Sequence, residues 1–171
     1  MFKISLLFIV AIMLSSCAGS YYIDKYTDDP LQGVNKVYII KADSSYYEKF
    51  MMGIVLPSGY IPLVVDGEVV KTKAIGDTDK YLKKEFDKLG MKTSIGYYNE
   101  IPDDTDLLVI YSDKWRWDFK KIMDRLDVEF IDYRSKELVA EMKYRIGSKD
   151  MHDYPSAQEE VPRLFNKYLN E

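Results

Sequence analysis

Trp115-Arg116-Trp117 holds both tryptophans of the chain and lies in its densest run of aromatic and charged residues, 111–119. In an extended backbone, side chains alternate between faces, so Trp115 and Trp117 would share one face and Lys114, Arg116 and Asp118 the other. With Tyr111 and Arg116 beside them, paired indoles could stack a sugar, grip a partner protein or clamp peptidoglycan, since Trp and Arg are common anchors at interfaces. The plainer alternative is that the pair packs beneath a helix or across a neighbouring hairpin. Tyr111, Trp115, Arg116 and Trp117 are therefore the candidate binding surface.

Other reactive groups are few. His152, next to Asp153, is the only imidazole, and no activated-serine elbow exists to use it. Asp103, Asp104 and Asp106 could face a cation, but the glycine and terminal glutamate of a calcium loop are missing at their offsets. That loop reads as a solvated turn before a buried strand. Carboxylates number 28, yet nothing marks two of them as a glycosidase pair. One Cys and one His cannot build a Cys-and-His zinc site, a disulfide or a Cys-His dyad with members to spare. The chain is thus expected to have no catalytic residues, no metal and no cofactor. Lys and Arg total 24, and a net charge of -4 leaves no basic surplus for a phosphate backbone, so nucleic acid is not an expected partner.

The remaining thiol, Cys17, has a different context. Met1-Phe2-Lys3 and an 11-residue apolar run ending at Leu14 read as the n- and h-regions of a signal peptide, too short for the about 20 residues that span a bilayer. Leu14-Ser15-Ser16-Cys17 then resembles the lipobox of bacterial lipoproteins. The resemblance implies cleavage after residue 16 and diacylglyceryl attachment at Cys17, usually with a third acyl chain. Two or three chains would hold the protein on the membrane. In such lipoproteins Asp after the Cys favours inner-membrane retention, so Ala18 implies an outer-membrane protein facing the periplasm. The parts expected are a signal peptide (1–16), a lipidated tether (17–34) and one domain (35–171).

Within that domain, residues 37–40 read as a buried strand. Asp66-Gly67 between apolar runs is a hairpin signal, and Pro62 puts that hairpin at an edge. Leu82, Phe86 and Leu89 mark one face of a helix over 77–89, with Gly90 placed to close it. Strands follow at 92–98 and 107–111. Strict alternation over 126–131 and 138–146, about a polar turn at 134–137, reads as a long antiparallel hairpin. Val161, Leu164, Phe165, Tyr168 and Leu169 form a last helical stripe, which starts either at a Ser156 cap or, slightly favoured, at Pro162. The expected class is α+β, a two-layer helix-on-sheet domain with a strand-helix-strand unit and a long antiparallel hairpin.

From 77 to 146 the order of elements, with Trp115-x-Trp117-Asp118 after Leu107-Leu108-Val109-Ile110-Tyr111, resembles small bacterial envelope lipoproteins grouped as a domain of unknown function. More distantly it is similar to the αβ domains of TolB amino-terminal, CsgG-type and penicillin-binding-protein-activator lipoproteins. The resemblance implies an envelope αβ domain and supplies no catalytic residues; the hairpin about Asp66-Gly67 departs from its pattern. The expected function is a non-enzymatic outer-membrane lipoprotein that binds or assembles envelope components, with an envelope protein or a second copy of itself as partner. Capture of a sugar or lipid is the alternative, and cell-wall hydrolysis a weaker one. Fifteen tyrosines, with pairs at Tyr21-Tyr22, Tyr46-Tyr47 and Tyr97-Tyr98, fit either an interaction surface or strands with one ring in and one out.

Overall fold

The computed structural model of the chain describes residues 19–42, 46–51, 55–56, 63–64, 68–73, 76–118, 120–147 and 154–171, with 46–73 and 117–118 described through the backbone alone. Cys17 and the signal segment, the Asp66-Gly67 turn and the His152-Asp153 pair lie outside the described residues. The elements run β1 (Ser20–Lys25), β2 (Lys36–Ile40), β3 (Tyr46–Met51), β4 (Val55–Leu56), β5 (Leu63–Val64) and β6 (Glu68–Lys73). They continue with α1 (Thr78–Lys88), β7 (Lys92–Gly96), β8 (Leu107–Asp118), β9 (Lys120–Asp132), β10 (Leu138–Arg145) and α2 (Ala157–Asn170).

A mixed sheet in the order β1-β10-β9-β8-β2-β7 forms one layer, and β3 and β6 extend it beside β8. Parallel pairing of β2 with both β7 and β8 is the product of the expected strand-helix-strand unit. The expected hairpin is β9 with β10, turning through Lys136 at φ 65°. Both helices lie on one face and pack against each other, α1 over β2 and β7, α2 over β10 and β1. The domain is therefore α+β with helices on a sheet.

Between the layers, Phe86 of α1 meets Phe165 of α2 edge-on at 5.0 Å and Phe130 of β9 at 5.4 Å, while Tyr168 stands on Phe130 at 5.5 Å. Phe86 and Phe130 are fully buried. Each such ring contributes roughly 1.5–3 kcal/mol by leaving water, which is why the stripe positions decide the helix faces. Leu82 and Phe86 are buried as the helical spacing requires, but Leu89, expected on the same stripe, is exposed. The helix has already ended there: Gly90 takes φ +83°, and the Met91 N–H reaches back to the Phe86 carbonyl at 3.2 Å.

Three segments depart from the expectation. The stretch read as a tether carries β1, whose six residues all pair with β10. Its alternation is weak because an edge strand needs only Tyr21 and Ile23 turned inward. Among the described residues, the two runs about Asp66-Gly67 do not pair with each other. β6 pairs along its length with β3, and β5 with β4. Finally, α2 begins at Ala157 and not at Pro162, which sits inside it. Buried Ala157, Glu160 and Val161 carry the apolar face one turn upstream of the proline, and that packing outweighs the hydrogen bond Pro162 cannot make.

Candidate functional site

The tryptophan segment lies in β8, a 12-residue strand with two neighbours on one edge: β2 beside 107–109 and β3 beside 114–116. On its other edge β9 pairs to the end, with an irregularity where Lys114 faces Arg125 and Trp115 faces Met123. The extra residue is Asp124, whose carbonyl accepts the Ile146 N–H at 3.0 Å. Such a bulge sharpens the local twist of the hairpin.

This geometry splits the candidate surface. Tyr111 and Trp115 join the core under the helices, Trp115 with only 4% of its surface exposed. Arg116 is half-buried on the opposite face. Trp117 is in the strand, and its side chain lies outside the described set. Burial pushes the Tyr111 hydroxyl well above its ordinary pKa, so it stays protonated. Asp113, between them in the strand and 1% exposed, accepts a hydrogen bond from the Thr78 hydroxyl at 2.6 Å, which ties β8 to the first turn of α1. Gly76 is needed at that junction: a Cβ there would come within 2.9 Å of the Asp113 carboxylate. The Trp115 indole N–H and the Arg116 Nε are buried without a hydrogen-bond partner.

Sequence reasoning missed a second polar cluster. Glu160 of α2, 2% exposed, receives the Tyr21 hydroxyl of β1 and the Arg163 guanidinium, the latter at 2.8 Å. Burial raises the Glu160 carboxyl above its usual range, against the Tyr21 and Arg163 contacts that favour its charge. The arrangement fastens the edge strand to the last helix. Its only sequence signal is a glutamate on the apolar stripe of α2.

The acidic loop has a mechanical role in the fold. Asp106 accepts the N–H groups of Asn35 and Lys36, each at 3.0 Å, and Asp104 pairs with Lys36, so together they set the start of β2 against β8. No group of three or more His, Cys, Asp or Glu side chains placed to hold a metal occurs among the described residues. The tyrosine pairs divide: Tyr21 stacks on Tyr144 while Tyr22 is exposed, as strand alternation requires, whereas Tyr97 and Tyr98 are both exposed after β7. Side chains of Tyr46 and Tyr47 are outside the described set.

No protein-family model matches the sequence. Nor does any curated protein. Solved structures do match in fold. The PelC dodecamer from Paraburkholderia phytofirmans aligns over 88% of this chain and 96% of its own, with TM-score 0.52 and 13% identity. A point variant of that protein gives 0.51 at 12% identity. A DUF4136 family protein from Bacteroides thetaiotaomicron aligns over 87% of this chain and 95% of its own, with TM-score 0.50 and 10% identity. Likeness at such identity, over nearly whole chains, establishes that this protein has the fold of those two.

Proposed function

We propose that the chain is a non-enzymatic lipoprotein of the bacterial envelope, anchored through Cys17 in the outer membrane and facing the periplasm, which works by assembling with copies of itself. The observation that carries this reading is the open sheet. Among the described residues no strand pairs with the outer edge of β1 or of β7. Unpaired edges are templates for another chain, and a head-to-tail contact between two different edges propagates to a closed or open multimer. Tyr22 on β1 and Tyr97 and Tyr98 just past β7 are exposed at these edges. The neighbour PelC is a dodecamer, which supports the same arrangement here. Trp115, buried in the core, offers no ring face to a sugar, and this favours assembly over ligand capture.

Crosslinking of the full-length protein in cells, followed by mass spectrometry, tests the reading, with Cys17→Ala as the unanchored control. A self-ladder that weakens in the control is the expected result. A protein that stays monomeric, with no attached partner, overturns it.

A further inference from the structure

The two edges of the sheet are not equivalent. In β7, the Lys92 N–H reaches the Asn35 carbonyl and the Gly96 carbonyl accepts the Lys41 N–H, so the parallel ladder with β2 turns the N–H and C=O groups of Thr93, Ile95 and Tyr97 outward. The chain's own side chains occupy most of them. Lys83 of α1 donates to the Thr93 carbonyl at 2.8 Å, the Asp87 carboxylate accepts the Thr93 N–H, and Glu100 accepts the Tyr97 N–H at 3.0 Å. The Tyr97 carbonyl accepts the Tyr38 hydroxyl, also at 3.0 Å. Among the described residues, only Ile95 is left on this edge with backbone groups to offer an incoming strand.

β1 has no such cover. The Tyr26 N–H bonds to the Val139 carbonyl at 3.0 Å, which fixes the phase of the antiparallel ladder: Ser20, Tyr22 and Asp24 bond to β10, and the backbone groups of Tyr21, Ile23 and Lys25 point outward. Among the described residues neither a strand nor a side-chain hydrogen bond covers those three. The strand has no proline, and its register with β10 is unbroken. Edges are ordinarily blunted by proline, a bulge or a covering group, and here that protection is given to β7 and withheld from β1. The sequence of β1 also fits itself. Laid antiparallel about a two-fold axis through Ile23, it sets Ile23 against Ile23, Tyr21 against Lys25 and Tyr22 against Asp24. In that register the three outward residues of each strand meet those of the other as hydrogen-bonded pairs. No like charges stand opposite, since Asp24 faces Tyr22, and Lys25 faces a Tyr21 whose hydroxyl is held by the Glu160 carboxylate.

We propose that β1 is the site at which this protein binds a second copy of itself, the two β1 strands pairing antiparallel about a two-fold axis at Ile23. The contact is isologous, one patch serving both copies, and is complete at two because each β1 has a single open edge. An axis normal to the sheet leaves the helices of both copies on the same face, and the two sheets continue as one. Tyr22, 54% exposed in the single chain, then lies beside Asp24 of the second copy. The inference deepens the self-assembly reading and rests on it for the identity of the occupant. Pairs joined at β1 extend into a larger assembly through side chains at the β7 end, where Tyr97 and Tyr98 are exposed.

The test uses two differently tagged forms of the full-length protein, Tyr22→Cys and Asp24→Cys, produced in the same cells and oxidised with copper phenanthroline, with the natural protein as the control for Cys17. Residues 22 and 24 of the two copies face each other at a non-hydrogen-bonded pair, about 4.5 Å apart at Cα, within reach of a disulfide. Two copies of residue 22 are diagonal, about 7–8 Å apart, and are not. A mixed disulfide between the two forms, with little within either, is the expected result. Lys25→Pro in both forms should lower its yield about tenfold, because the lost N–H is one that points outward and not into the ladder with β10. Lys25→Ala, which loses the same side-chain contact with the Tyr168 ring but keeps the N–H, should not. No mixed disulfide, or a yield matched by Tyr22→Cys alone, overturns the proposal, as does a Lys25→Pro protein that folds by circular dichroism and crosslinks undiminished. A disulfide between Tyr22→Cys and Ser94→Cys in its place would give the contact to unlike edges. A self-ladder without the mixed disulfide leaves the assembly reading standing and removes this contact alone, whereas a monomer removes both.

Discussion

Trp115 shows how a residue chosen for its chemistry can be spent on packing. Alternation along β8 turns Tyr111, Asp113 and Trp115 toward the helices, and Trp115 is 4% exposed. Trp115→Ala should therefore cost about 3–5 kcal/mol, read as a lowered urea midpoint; a change within about 0.5 kcal/mol would mean a surface ring. Spacing along 111–119 says which residues alternate, but which side of the sheet receives the helices is set by α1 and α2 and is invisible in that segment. Glu160 was illegible for a related reason: only its register with Tyr21, 139 residues away, explains a carboxylate on an apolar stripe. Burial makes the folded state hold the Glu160 proton more tightly than the unfolded chain does. Its contribution to stability is thus complete below the ordinary carboxylate pKa and is lost as pH rises through the raised folded value. Urea midpoints measured from acid to neutral pH should fall less steeply across that window for Glu160→Gln than for the natural protein, and parallel curves would contradict this assignment.

Among the elements, those with a strong local period were the legible ones. α1, β2, β7 and the β9–β10 hairpin follow from apolar spacing and turn residues. The pairing of β3 and β6 does not, because an Asp-Gly signal says where a chain can reverse and not which strands it will join. Where α2 starts is a contest between a missing N–H and a buried face, and the face wins. Pro162→Ala should consequently stabilise the protein, by less than the about 3 kcal/mol separating Pro from Ala in a helix interior, because the half-buried ring also packs. Thermal unfolding in a scanning calorimeter reads the change; a lower melting temperature would show that the ring's contacts outweigh the restored bond. Gly90→Ala should destabilise by about 1 kcal/mol, since φ +83° strains any side chain although nothing crowds the site.

At the scale of the whole molecule, the class of fold was legible and the order of strands was not. β1 lies at one edge of the strand order and β7 at the other. Paired Tyr22→Glu and Tyr98→Glu changes at these edges should leave stability within about 0.5 kcal/mol, as both rings are exposed, while abolishing the self-ladder. A ladder that persists would move the contact elsewhere. The pairing of β1 with β10 also orders events in time. Ser20 meets Arg145, so the first strand to be made has no partner until nearly the last has emerged. Closing so large a loop is entropically late, and contacts of long sequence separation slow folding. Assembly of the domain therefore finishes at its amino-terminal strand, and until then β10 itself is an open edge that any extended segment of a neighbouring chain can occupy. A chain whose β1 waits for β10 has a period of vulnerability set by how long the intervening residues take to emerge, and a binding chaperone would be needed most during that period.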